Sequence, residues 1–144
     1  MNYNHKQNSC IINILILILV IILTSIYIYV GQLEILYIFL PIMLFVFLLF
    51  NSLNVEVDDL KISIKFGYIG FRKSFLLSDI KSVKKVRNHW YFGWGIRVWF
   101  WPYMWIYNIN GFDAIEIVLK NNRIYRIGTN DVENLEKAIQ DKIK

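Results

Sequence analysis

Between Ile11 and Phe50 the chain carries one ionisable group besides its tyrosine phenols, Glu34. A run of that length cannot be spread over a water-exposed surface. The remaining residues, from Asn51 onward, make one small domain, too little to enclose it. The 56% hydrophobic content of the whole chain fits a protein partly dissolved in lipid. Two segments emerge. Ile11–Val30 has the length of a helix about 30 Å long, and Leu33–Phe50 that of one about 27 Å long, both matched to a bilayer core. Only Gly31 and Gln32 separate them, so they are predicted to run antiparallel as a hairpin. Pro41 is expected to kink the second helix. No small-x-small cleavage pattern follows the first run, so it reads as an uncleaved span.

Loop charge sets the expected orientation. The tight link has no Lys or Arg, whereas Lys6 lies on one flank and Lys61, Lys65, Arg72 and Lys73 on the other. By the positive-inside rule both termini face the cytoplasm, with Tyr27, Tyr29 and Tyr37 near the outer turn. The expected location is a cell membrane crossed twice. Cys10 is the only cysteine, so no intramolecular disulfide can form. Its position at the head of the first run permits acylation, but a chance small residue at an interface is the favoured reading.

Residues 1–10 read as a cytoplasmic tail and residues 55–144 as a soluble domain. Of the 16 Lys and Arg, 15 follow Phe50, as do 10 of the 11 acids, leaving that part at +5. This excess suits an anionic membrane surface, a nucleic acid or an acidic protein without choosing among them. Alternation over Leu60–Phe66 predicts a half-buried strand. Phe71–Leu77 follows after a Gly-Tyr-Ile-Gly turn. Ile80–Arg87 is ambiguous, since Ile80, Val83 and Val86 are spaced for a helical turn while valine favours strands, and it is read as a strand. Further strands are expected at Gly95–Phe100, Tyr103–Tyr107, Ala114–Lys120 and Arg123–Gly128, the last two joined by a hairpin at Asn121-Asn122. Val132, Leu135, Ala138, Ile139 and Ile143 share one helical face, with Asn130 as the expected cap and Glu133 three residues on. The expected fold is a membrane α-hairpin followed by an all-β barrel or sandwich of about seven strands, closed by a C-terminal amphipathic helix.

Gly93-Trp94-Gly95-Ile96-Arg97, Tyr107-Asn108, Gly111, Ala114-Ile115-Glu116-Ile117, Gly128-Thr129 and Glu133-Asn134-Leu135 occur in an order that resembles bacterial pleckstrin-homology-like proteins with a membrane hairpin. The resemblance covers most of Leu60–Ile143. It implies a pleckstrin-homology-like fold and a non-enzymatic binding module. In the phosphoinositide-binding relatives of that fold, a Lys on the first hairpin is followed by a basic residue, one further residue and an Arg. Lys65 and Arg72 match the beginning of that pattern, but Ser74 stands where the Arg is required.

Three groups of residues are candidate sites. The aromatic segment His89–Tyr107 holds five tryptophans, more rings than alternating strands can bury on one face. Trp90, Tyr91, Phe92 and Trp94 are therefore candidates to meet the lipid interface or a partner, against the alternative that most are core. Arg72, Lys73, Lys81, Lys84, Lys85 and Arg87 are candidate anionic-lipid contacts, against a solvated face. Arg97 is a candidate ligand for a phosphate or carboxylate, against a structural salt bridge to Asp113 or Glu116. No HExxH, GxSxG, CxxC or phosphate-loop pattern occurs, and one Cys with two separated His builds no metal site. No enzymatic activity, cofactor or nucleic-acid partner is expected. The expected function is a membrane-anchored scaffold or binding module acting on headgroups or a membrane protein, with the oligomeric state open. The alternative is a small immunity-type protein that guards the envelope against a membrane-active peptide.

Overall fold

The protein is described by a computed structural model covering residues 3–143. The two apolar runs are helical. Helix α1, Cys10–Val30, ends where Gly31 takes a left-handed conformation at φ 75°. There the Gly31 N–H bonds to the Ile28 carbonyl and the Gln32 N–H to the Tyr27 carbonyl, which satisfies the last turn and reverses the chain. One 3₁₀ turn, Leu33–Ile35, leads into α2, Leu36–Phe50, with Pro41 inside it. Neither helix buries a residue in the rest of the protein. Only their ends at the β domain are covered, where Ile12 and Phe50 pack against its core. Apolar helices so little covered by protein suit a lipid environment, and both spans are long and apolar enough to cross a bilayer.

The helical hairpin does not precede the β domain; it interrupts it. Strand β1, Tyr3–Asn8, runs into α1, and β2, Ser52–Val57, leaves α2. The two strands pair antiparallel, Asn8 opposite Ser52, and the Ser9 N–H donates to the Asn51 carbonyl at 2.8 Å. The helices thus occupy the place of the loop in a β-hairpin. With β3, Lys61–Phe66, and β4, Arg72–Leu76, these strands form a four-stranded sheet in the order β1-β2-β3-β4. The second sheet holds β5 (Ile80–Arg87), β6 (Gly95–Phe100), β7 (Tyr103–Asn108), β8 (Asp113–Leu119) and β9 (Ile124–Gly128) in the order β5-β8-β9-β7-β6. Its β7–β9 pair is parallel.

The sheets face each other over one core. Leu53, Val55 and Val57 of β2 and Ile62, Ile64 and Phe66 of β3 meet Tyr107, Ile115, Ile117, Tyr125 and Ile127 of the second sheet. Helix α3, Val132–Gln140, adds Leu135 and Ile139 and packs on β5 and β8.

Seven of the nine strands coincide with the expected ones. The two additional strands flank the hairpin, so residues 3–8 are sheet rather than tail, and the β domain resumes at Ser52 rather than at residue 55. Leu60 is exposed in the turn before β3 instead of lying on its apolar face. At α3 the cap residue is Asp131, with no side-chain cap bond. Asn130 is drawn away from the helix: its Oδ1 lies 2.6 Å from His5 Nε2 of β1.

The hairpin fixes which end of the sandwich it leaves. The β3–β4 turn lies on the last turn of α2, where the Tyr68 N–H donates to the Leu48 carbonyl at 2.9 Å and the Gly67 N–H to the Ser52 carbonyl at 2.7 Å. Gly67 has φ +54°, and a Cβ there would stand 2.1 Å from the Leu48 carbonyl oxygen, so only glycine allows this approach. In the second sheet, the Ile109 carbonyl accepts from Ser9 Oγ at 3.2 Å, placing the end of β7 at the same hairpin end. The β6–β7 and β8–β9 turns lie at the far end.

Candidate functional site

Alternation in the second sheet turns Met104 and Ile106 of β7 and Ile124 of β9 away from the core, onto an outer face that would otherwise be wet. The chain covers them itself. After β5 it forms a 3₁₀ turn, Trp90–Phe92, and Phe92, only 7% exposed, packs on Met104 and Ile106 with Trp99 and Ile124 beside them. Beneath the Phe92 ring, 5.7 Å from its centroid, lies the Arg126 guanidinium. Arg126 donates from Nε to Glu116 Oε2 at 2.8 Å and from its Nη1 to Asn88 Oδ1 at 3.3 Å. Lys84 Nζ adds a second cation 2.9 Å from the Glu116 carboxylate. Burial alone pushes the Glu116 carboxyl up, but the hydrogen bonds from Lys84 and Arg126 hold it below the usual carboxylate range.

The aromatic segment therefore divides. Phe92 is pinned, Tyr107 is core, and burial pushes the Tyr107 phenol up to about 12. Trp90, 77% exposed, and Tyr91 project from the 3₁₀ turn. Trp94 is half-buried with its ring 6.2 Å from Phe112, and its indole nitrogen has no hydrogen-bond partner among the described residues. Arg97 donates from Nε to the Trp94 carbonyl at 3.1 Å and makes no ion pair among the described residues; Glu116 is held by Lys84 and Arg126 instead. Phe100, Tyr103 and Trp101, which is 90% exposed, cluster at the far end, away from the helices.

The 3₁₀ turn is tied to the hairpin end. The Asn88 N–H donates to the Phe112 carbonyl at 2.6 Å, in the same connection that holds Ile109 against Ser9. Arg87, Asn88, His89, Trp90 and Phe112 line a shallow hollow of about 330 Å³. No family model, curated protein or solved structure matches the chain. The site is accordingly read from its own geometry.

The basic residues fall at different levels. Strand β5 runs from the far end to the hairpin end, so Lys81 lies at the far end, bonded to Asn122 Oδ1 at 3.1 Å, and Arg87 at the hairpin end. Between them Lys84 pairs with Glu116, and Lys85 pairs with Glu133 and with Glu136 of α3. The Glu133 contact holds the Lys85 ammonium above its usual range. Arg72 and Lys73 lie exposed on β4, in the other sheet. Sequence reasoning passed over the turn between β3 and β4, where Tyr68, Ile69 and Phe71 are exposed beside the end of α2. Its signal was available: two large apolar residues between glycines, with Lys65 and Arg72 on either side, are unusual for a solvated turn. No cluster of three or more His, Cys, Asp or Glu is placed to hold a metal ion among the described residues.

Proposed function

We infer that this chain is a membrane-anchored β-sandwich that works by contact at the cytoplasmic surface of the bacterial cell membrane, without turnover. The carrying observation is the insertion of the helical hairpin between two hydrogen-bonded strands, Asn8 opposite Ser52. A sandwich hung from both helices at once cannot drift from the bilayer as a domain on a linker does. Its hairpin end is pressed to the surface. Aromatic residues with one polar atom suit that depth, and Tyr68, Ile69, Phe71, Trp90 and Tyr91 are exposed on elements tied to that end. Cations with no acidic partner among the described residues, such as Arg72 and Arg87, suit an anionic leaflet. The orientation follows from the sequence, whose basic residues flank the hairpin while its turn has none. The pleckstrin-homology-like assignment is likewise a proposal. A two-sheet sandwich with a C-terminal helix in its core supports it, whereas the parallel β7–β9 pair departs from a simple antiparallel meander.

Vesicle flotation of a hairpin-free variant tests this reading. Residues 10–50 are replaced by Asn-Gly, because Ser9 and Asn51 already face each other across a hydrogen bond. The folded variant is expected to float with anionic vesicles, less so at high salt, and less again with Trp90→Ala plus Tyr91→Ala. A folded variant that stays at the bottom of the gradient on every vesicle would turn the reading toward a protein partner.

A further inference from the structure

Strand register places residues that are far apart in the chain in one row. In the first sheet Lys6 stands opposite Asn54, Asn54 opposite Lys65, and Lys65 opposite Arg72. The row lies on the outer face, because β2 and β3 turn Leu53, Val55, Ile64 and Phe66 into the core. It carries three cations and no acid. Lys65 and Arg72 are directly opposed like charges, an arrangement that costs a sheet stability unless something negative lies between them. None of the three makes an ion pair among the described residues. The one acid in these four strands is Glu56, in the next row away from the helices, opposite Asn4 and Ser63. Between Lys6 and Lys65, the Asn54 Oδ1 is buried and without a hydrogen-bond partner among the described residues. As an acceptor it offers an anion nothing, so the attraction of the row rests on its three cations.

The row sits at a telling depth. Lys6 is two residues from Asn8, so the row lies about 7 Å from the point where the strands become helices. The headgroup layer of one leaflet is about 5–8 Å thick. Toward the helices the row is bounded by Tyr68, whose ring has Lys6 Nζ 5.2 Å from its centroid and whose N–H is bonded to α2. Lysine and arginine side chains extend far enough from this level to reach a phosphate at the lipid surface.

We propose that the outer-face row Lys6–Asn54–Lys65–Arg72 binds the phosphate of an anionic phospholipid in the leaflet that the two helices enter. The proposal rests on the surface-contact reading above and names its ligand. The lipid phosphate lies over the row, takes charge-assisted hydrogen bonds from the ammonium and guanidinium groups, and relieves the repulsion between Lys65 and Arg72. Lys6 belongs to the strand before the hairpin and Lys65 and Arg72 to strands after it, so the site exists only once the sheet has closed around the inserted helices.

The test uses the full chain in neutral detergent, titrated with short-chain phosphatidylglycerol, short-chain phosphatidylcholine or inorganic phosphate while thermal unfolding is followed. Phosphatidylglycerol is expected to raise the unfolding temperature and phosphatidylcholine not to. Lys65→Gln with Arg72→Gln is expected to raise the starting unfolding temperature, since the repulsion is gone. The same pair is expected to weaken the phosphatidylglycerol response about 25-fold, from about fivefold per charge. Lys81→Gln with Lys120→Gln removes the same charge at the far end and is expected to leave the response unchanged. A phosphatidylglycerol response that survives in the Lys65/Arg72 variant overturns the site while leaving the surface-contact reading standing. An equal loss in the Lys81/Lys120 variant reduces the effect to net charge and also overturns it. Equal protection by inorganic phosphate would assign the row to a soluble anion instead. No response to phosphatidylglycerol in the unsubstituted chain removes the site, and failed flotation of the hairpin-free variant removes the reading beneath it.

Discussion

Glu116 is the residue whose charge the second sheet most depends on. Its side chain is nearly enclosed, and two cations from neighbouring strands converge on it. Glu116→Gln keeps the shape and removes the charge. Arg126, itself only partly exposed, then keeps a single neutral acceptor where it had a carboxylate, and the expected cost is about 2 kcal/mol in chemical denaturation. The pH dependence has a definite sign. The folded carboxyl is held below its unfolded value, so its contribution is complete above the unfolded value and is lost as pH falls through the folded one. Stability should therefore be level near neutrality and decline in acid, more shallowly in Glu116→Gln. Some acid slope will persist in the variant, because the backbone N–H groups of Leu60 and Lys61 hold the Asp58 carboxyl low, and Lys142 does the same for Asp59. A decline of equal steepness in both proteins would remove Glu116 from that role.

At the scale of elements, the closing of β1 on β2 makes a distinction that cutting experiments can read. The hairpin-free variant, residues 3–9 joined through Asn-Gly to residues 51–143, keeps both strands and should give a soluble, cooperatively unfolding sandwich. A fragment starting at residue 55 loses β1 and half of β2. It loses Leu53 from the core, leaves Lys65 and Phe66 of β3 without strand partners and exposes the rest of β2 as a raw edge, so it should aggregate or unfold. Circular dichroism and gel filtration separate the two, and equal behaviour would mean that β1 contributes nothing. The same strands mark the limit of what the sequence revealed. Most of the strands β3–β9 and the C-terminal helix were legible because their apolar residues alternate or recur at helical spacing. Strand β5 was not, since Ile80, Val83 and Val86 are spaced for a helical turn and only the valines favoured a strand. Strand β2 carried a readable alternation, Leu53, Val55 and Val57, overshadowed by the apolar helix running into it. Strand β1 had none. Tyr-Asn-His-Lys-Gln-Asn is polar, and its stability comes from main-chain pairing with β2 and from contacts such as Gln7 Nε2 donating to the Gly128 carbonyl at 2.7 Å. The cationic row was hidden for the same reason: without β1 there is no register to bring Lys6 beside Lys65. The aromatic segment was legible as an excess of rings. Which of them are pinned depends on the chain folding back over the outer face, which periodicity does not encode.

For the whole molecule, a hairpin hung between paired strands and crossing a bilayer, as proposed above, would put β1 and the rest of the sandwich on one side of it. The single cysteine provides a test. Cys10 is exposed at the head of α1. A membrane-impermeant maleimide should leave it unlabelled in intact cells and label it after lysis. Gln32→Cys in a Cys10→Ser background should already be labelled in intact cells, since Gln32 lies in the turn at the other ends of the helices. Labelling of Cys10 in intact cells would invert the orientation and move the sandwich outside. The insertion also imposes an order of events on synthesis. Strand β1 is translated first, both helices next and β2 after them, so β1 must idle beside the nascent chain until its partner arrives. While the helices remain outside the lipid, their apolar surface competes for the same strands, and Asn8 and Ser52 are brought together only when the two helices lie antiparallel. Closure of the sheet would thereby report insertion: a chain whose hairpin stayed outside the bilayer would be left with β1 and β2 apart.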